Sequence, residues 1–206
     1  MTPLLTGLGL AAAAGFNGWA VLLLFNGLYR VLPQEFPGPL AAFLASPVMF
    51  ELALVMFLLE FVADKIPFVD RYWDAAHTLL RPAIGGALAM ASVDEWTLAS
   101  RIGIGLGGAA ATLATHVAKS TSRLTSTAAL KFGSQFAMSI AEDLLAVVLA
   151  ALMFFEPRST MVFLGALVIS LATHWPRVRR ALTILFFRIQ HPRSRPKADP
   201  KPQSAG

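Results

Sequence analysis

Two adjacent carboxylates, Glu142 and Asp143, lie inside an apolar run from Phe136 to Phe155. Ionised side chains in such a run are costly unless they face a polar interior or a partner, and they mark functional sites by default. Neighbouring residues on a helix point about 100° apart, so the two cannot share one narrow face. One is placed to meet a basic partner while the other lines a pathway. The plain alternative is a helix start at the membrane interface. Glu51 is a lone acid in a second apolar run, Pro47 to Ala63, and is preferred as the counterpart of Glu142. Glu60, near the end of that run, is close enough to Lys65 to pair with it or to snorkel.

His116, Lys119 and Arg123 at i, i+3 and i+7 form a basic stripe, and Asp70, Asp74, His77 and Arg81 at i, i+4, i+7 and i+11 form a polar one. Both stripes, with Asp64 and Lys65 beside the second, fall on one side of the membrane. They read in two ways. In one, Asp70 and Asp74 bridge Lys119 and Arg123 as structural ion pairs. In the other, the stripes line a cytoplasmic vestibule closed below by Glu142 and Asp143, with His116 titrating near neutrality and relaying protons. Asn17, within Gly15-Phe16-Asn17-Gly18, is placed to offer its amide where a helix unwinds.

Other chemistries lack their parts. The chain has no cysteine, which removes disulfides, thiolate metal sites and cysteine nucleophiles. No His-Glu-x-x-His or Gly-x-Ser-x-Gly motif occurs. Gly7-x-Gly9 and Gly103-x-Gly105 lack the preceding strand of a nucleotide fingerprint. Asp70 and Asp74, one turn apart with His77, have the spacing to hold a divalent ion, so metal binding stays open. No cofactor is expected.

The elements that must position these residues are membrane helices. Of 206 residues, 56% are hydrophobic and 14% charged, with a net charge of +5 and a mean hydropathy of +0.62. Soluble domains carry about a quarter charged residues, so this surface points to lipid. Six apolar stretches approach the roughly 20 residues needed to cross a bilayer: Leu4–Leu32, Pro47–Ala63, Pro82 to about Val93, Thr97 to about Arg123, about Phe136–Phe155, and Thr160–Trp175. The first is interrupted at Gly15-Phe16-Asn17-Gly18, which predicts a broken or re-entrant element. The stretch 70–81 reads as an interfacial amphipathic helix, and 177–190 as a second, basic one. Residues 191–206 are proline-rich and basic and are expected to be disordered.

With six spans, fourteen of the seventeen Lys and Arg residues fall on one face: Lys65, Arg71, Arg81, Lys119, Arg123, Lys131 and the eight from Arg177 onward. Arg30, Arg101 and Arg158 fall on the other. That bias predicts an inner-membrane protein with both termini cytoplasmic. The run Gly7 to Ala14 resembles Gly103 to Ala110, which predicts a 3+3 inverted repeat over 4–93 and 97–176. Packing by small residues alone would give the same likeness.

The run Glu60-Phe61-Val62-Ala63-Asp64-Lys65-Ile66-Pro67-Phe68-Val69-Asp70, followed by Trp73-Asp74, His77-Thr78 and Arg81-Pro82, resembles a bacterial multi-pass membrane family catalogued as a domain of unknown function, number forty-one twenty-six. Gly15-Phe16-Asn17-Gly18-Trp19, His116 through Lys119 to Arg123, and Ser139 followed by Glu142-Asp143 add to the likeness, which covers about Gly7 to Ala150. The chain departs from it between Arg123 and Ser139. The resemblance implies that these polar residues are the family's signature and implies no activity.

The sequence thus predicts an all-α polytopic protein with a transmembrane domain over 1–190. Its expected function is a small transporter or channel for an ion or small polar solute, using Asn17, Glu51, His116, Glu142 and Asp143. The alternatives are metal-assisted lipid chemistry at Asp70, Asp74 and His77, or a structural or partner-binding protein. Expected partners are the bilayer and, at the basic C-terminal segment, anionic headgroups. Nucleic acid is not expected, and a homodimer stays open.

Overall fold

In the computed structural model the described residues are 2–36, 38–63, 66–126, 132–176, 179 and 183, without the side chains of 67, 68, 70–72, 74, 75, 122–126 and 132–135. They form eight α-helices and no strand: α1 (Thr2–Ala14), α2 (Gly18–Val31), α3 (Pro39–Leu44), α4 (Pro47–Ala63), α5 (Pro67–Ala91), α6 (Leu98–Ser126), α7 (Phe132–Phe155) and α8 (Ser159–Thr173), with a 3-10 turn at Pro33–Glu35. Among the described residues one segment, Phe136–Phe155, is long and apolar enough by itself to cross a membrane. Asp64, Lys65, the side chains of Asp70, Asp74 and Arg123, nearly all of the 177–190 stretch and the 191–206 tail lie outside the description.

The glycine break ends α1, and Asn17 restarts the chain. Its backbone is extended and its side chain accepts from the Ala20 N–H, an N-cap that fixes the first residue of α2. The chain then folds back. Thr2, Pro3 and Thr6 from the start of α1 share one cavity with Leu32, Glu35 and Phe36 from beyond the end of α2. At 1.5 Å per residue the two helices are each only about 20 Å long, so they form the arms of a hairpin with its tip at 15–17.

Helices α4 to α8 are aligned on this hairpin. Along α1, Gly7 abuts Ala89 and Ser92 while Gly18 at the tip abuts Arg81 and Ile84, so α5 runs from the tip toward the cavity end. Leu8 meets Gly107, the Ala11 carbonyl accepts from Thr112 Oγ1, and Gly15 meets Thr115, so α6 runs the opposite way. Asp143 of α7 lies at the tip and Phe154 at the cavity. α8 starts beside Leu5 and passes Phe16. α4 starts near α2's end, where Arg30 covers the Phe50 ring, and brings Glu60 to Arg81.

Small residues make this closeness possible. A Cβ on Gly15 would sit 2.5 Å from the Thr112 carbonyl oxygen and 2.6 Å from Thr115 Cβ. Leu10 through Ala14 are fully buried. The outside is the reverse: Leu52, Val55 and Leu58 on α4, Leu106 on α6, Leu144 and Val148 on α7, and Val162 and Val168 on α8 are exposed.

Several expectations are corrected. The first apolar stretch, counted as one of six spans and expected to be broken or re-entrant, turns back to its starting end, so the start of α1 and the far end of α8 lie at opposite ends of the bundle rather than at one. The 70–81 helix is not separate from the stretch that begins at Pro82. Both belong to the 25-residue α5, which continues through Pro82 and buries His77 and Arg81. Proline removes one helical N–H, but packing along both flanks holds the helix together. Finally, Gly7–Ala14 and Gly103–Ala110, expected as inverted copies, run in the same direction and pack against each other. It is α2, α4 and α5 that run opposite to α6, α7 and α8.

Candidate functional site

The hairpin tip is the polar centre of the molecule, about halfway along α5 and α7. Two connected groups of side chains meet there. In the first, Asn17 Nδ2 donates to Asp143 Oδ1 at 2.9 Å, so the residue that caps α2 also ties it to α7. The Phe16 carbonyl, released from helical bonding by the break, accepts from Lys119 Nζ at 2.7 Å. The same ammonium lies 3.3 Å from Glu142 Oε2. Glu142 and Asp143 thus divide as their 100° separation demands, one toward Lys119 and the other toward the tip.

In the second group, Glu60 Oε1 accepts from Arg81 NH2 at 2.5 Å, with both side chains fully buried. Arg81 NH1 donates to His116 Nδ1, also at 2.5 Å. Guanidinium has no acceptor, so His116 Nδ1 carries the lone pair. Its Nε2–H then faces Thr78 Oγ1 at 3.2 Å. His77 is fixed by the same logic. Indole can only donate, so Trp19 Nε1 at 2.9 Å makes His77 Nε2 an acceptor. The His77 Nδ1–H is left to donate to the Trp73 carbonyl at 2.9 Å. Both imidazoles are therefore neutral, with opposite tautomers.

Four helices and the hairpin build this centre: α4 through Glu60, α5 through His77 and Arg81, α6 through His116 and Lys119, and α7 through Glu142 and Asp143. Asn17, His77, Arg81, His116, Lys119 and Asp143 are all buried, and all were singled out from sequence. Glu51 is not brought to them. It is exposed, and nine residues along a helix turn it to the face opposite Glu60. The preference for Glu51 over Glu60 is therefore reversed. The signal that would have found Glu60 is Arg81, the basic residue at comparable depth in the following apolar helix. Trp19, which sets the His77 tautomer, carried no chemical signal of its own.

Lys119, which one of the two readings bridged to Asp70 and Asp74, holds Glu142 and the Phe16 carbonyl; the side chains of Asp70 and Asp74 lie outside the described residues. Among the described residues no group of three His, Asp or Glu side chains is arranged to hold a metal. Both His77 nitrogens are engaged, Nε2 by the Trp19 indole and Nδ1 by the Trp73 carbonyl.

At the far end of the hairpin a cavity of about 340 Å³ is lined by Thr2, Thr6, Glu35, Phe36, Ser92 and Phe154, among others. The buried Ala11 to Ala14 segment separates it from the tip.

No curated protein and no solved structure matches the chain significantly. The family model of DUF4126, a domain of unknown function, matches residues 4–177 and so spans the hairpin and every helix that meets its tip. The chain belongs to this family.

Proposed function

We propose that the protein is a polytopic inner-membrane protein that moves an ion or small polar solute past the hairpin tip. The observation that carries this reading is the inversion of polarity. Three carboxylates, a guanidinium and an ammonium are gathered inside a bundle whose outer faces are apolar. Intramembrane charges of this kind face a bundle interior and mark pathways. Broken helices that present free backbone groups near mid-depth recur at transporter sites. Here the Phe16 carbonyl and Asn17 are those groups.

In this reading α1 and α2 are a re-entrant hairpin, because the chain turns back at 15–17 and returns to its starting end, and α4 to α8 cross. The excess of Lys and Arg in the segments assigned to the tip side supports a cytoplasmic orientation of that side under the positive-inside rule. The N-terminus then lies outside. The opposite running of α2, α4, α5 and α6, α7, α8 supports an inverted repeat that excludes α1.

The experiment is flux in proteoliposomes, using radiolabelled sodium, rubidium, chloride and small amino acids. Wild-type protein is expected to move at least one of them, with flux lost in Lys119→Met and in Asp143→Asn. Flux of every probe equal to that of empty liposomes, or unchanged in both variants, overturns the reading. The pairing of Arg81 with Glu60 and of Lys119 with Glu142 favours a second reading, in which the charges only weld the hairpin to the bundle. Under that reading the same variants lose stability and no flux exists to be lost.

A further inference from the structure

We infer that His77 and Glu60 form a proton-binding site whose occupancy controls the hairpin, which makes the proton the coupling ion. This rests on the transport reading above. The geometry starts from Glu60. Its Oε1 is held by Arg81, while its Oε2 is buried with no hydrogen-bond partner among the described residues. That oxygen lies 3.8 Å from His77 Nε2. A buried carboxylate oxygen left without a donor is costly, and here the nearest candidate is a ring nitrogen whose proton is absent. The nitrogen is occupied from the other side by the Trp19 indole.

The step is a simple protonation. A proton from water adds to the Nε2 lone pair of His77, giving an imidazolium whose Nε2–H turns to Glu60 Oε2. Trp19 Nε1–H loses its acceptor, because a protonated nitrogen cannot accept. Among the contacts described above only the indole bond is exchanged, and the new positive charge meets a carboxylate already in place. Trp19 is two residues beyond Asn17, in the first turn of α2, so releasing it loosens the turn that carries the Asn17–Asp143 bond and follows the Phe16–Lys119 bond.

The surrounding charges direct the proton to His77 rather than to its neighbours. From α4 comes Glu60, and from α5 itself, among its described side chains, Arg81. From α6 come His116 and, one turn further, Lys119, which is held by Glu142. α2 brings the indole of Trp19, while α1 and α3 hold no ionisable side chain. His116 Nδ1 faces the Arg81 guanidinium, so a proton there would set two cations together. His77 Nε2 faces an anion.

The test is indole NMR on the full chain in nanodiscs with isotope-labelled tryptophan, the Trp19 signal being identified by its loss in Trp19→Phe. The Trp19 N–H signal is expected to move in one step as pH falls from about 8 to about 5, the range in which histidine changes charge. The step should vanish in His77→Gln. In Glu60→Gln it should need about tenfold or more higher proton concentration, because a close opposite charge shifts a titration by about one unit or more. A Trp19 signal that stays fixed in wild type, or a step that survives His77→Gln, overturns the inference. If either variant fails to fold, the wild-type signal alone decides. Flux separates the two readings. Solute movement with a fixed Trp19 signal removes the proton site and keeps transport, whereas a titrating Trp19 with no flux of any probe does the reverse.

Discussion

The two ends of the hairpin use the same residue types for different purposes. At the cavity end, Asp94 Oδ2 accepts from the Leu40 N–H at 2.9 Å and its other oxygen pairs with Arg101. One carboxylate thus meets one backbone donor and one cation. It caps α3 from a distance, against Gly38, whose φ of 103° keeps that position clear of a side chain. At the tip, three carboxylates meet two cations and two neutral imidazoles drawn from α4, α5, α6 and α7. The first arrangement is a clamp that ties the start of α3 to the start of α6. The second holds more charge than clamping requires, deeper in the bundle, at the point where the backbone is broken.

Removing charges should therefore have unequal effects at the two ends. The largest loss is expected for Arg81→Met, which strands Glu60 in the interior: about 3–5 kcal/mol, the usual result of breaking one half of a buried pair. Thermal unfolding in detergent measures it, and adding Glu60→Gln should recover part of the loss. Gly15→Ala comes next, at about 1–3 kcal/mol, because the added methyl meets backbone and a β-branched neighbour rather than a flexible chain end. Asp94→Asn should cost about 1 kcal/mol, in the range of a lost helix cap, and leave flux at the wild-type rate. A fall in flux as large as that of Asp143→Asn would erase the contrast between the ends. The smallest effect belongs to Glu51→Gln, within about 0.5 kcal/mol, as for exposed positions in general, with flux unchanged.

How far these differences could be read beforehand depends on whether the deciding contact was local. The limits of α4, Pro47 and Ala63, follow from a Ser-Pro start and from the breakers after it, and both match the observed helix. The break at 15–17 follows from two glycines flanking an asparagine in an apolar run. The fold-back does not, because it is decided by Thr6 and Leu32 meeting at one cavity, far apart in sequence. Glu51 and Glu60 are equivalent acids in one apolar helix, and only a partner 21 residues beyond Glu60 separates them. In α5, His77 and Arg81 lie deeper than an interfacial helix would place them, since their partners come from α2, α4 and α6. The likeness of Gly7–Ala14 to Gly103–Ala110 is accounted for by the packing of the two segments against each other. Close helix contact selects small residues on both sides.

The central claim is that the tip faces water within an apolar shell, and the absence of cysteine from the chain allows it to be probed directly. Ser139, buried one turn before Asp143, has an Oγ with no hydrogen-bond partner among the described residues. In vesicles holding the Ser139→Cys protein, a small charged thiol reagent is predicted to label this position from one side of the membrane, more slowly than a cysteine at the exposed Thr2. Labelling at Thr2→Cys with none at Ser139→Cys from either side would show a dry, sealed centre and contradict the account.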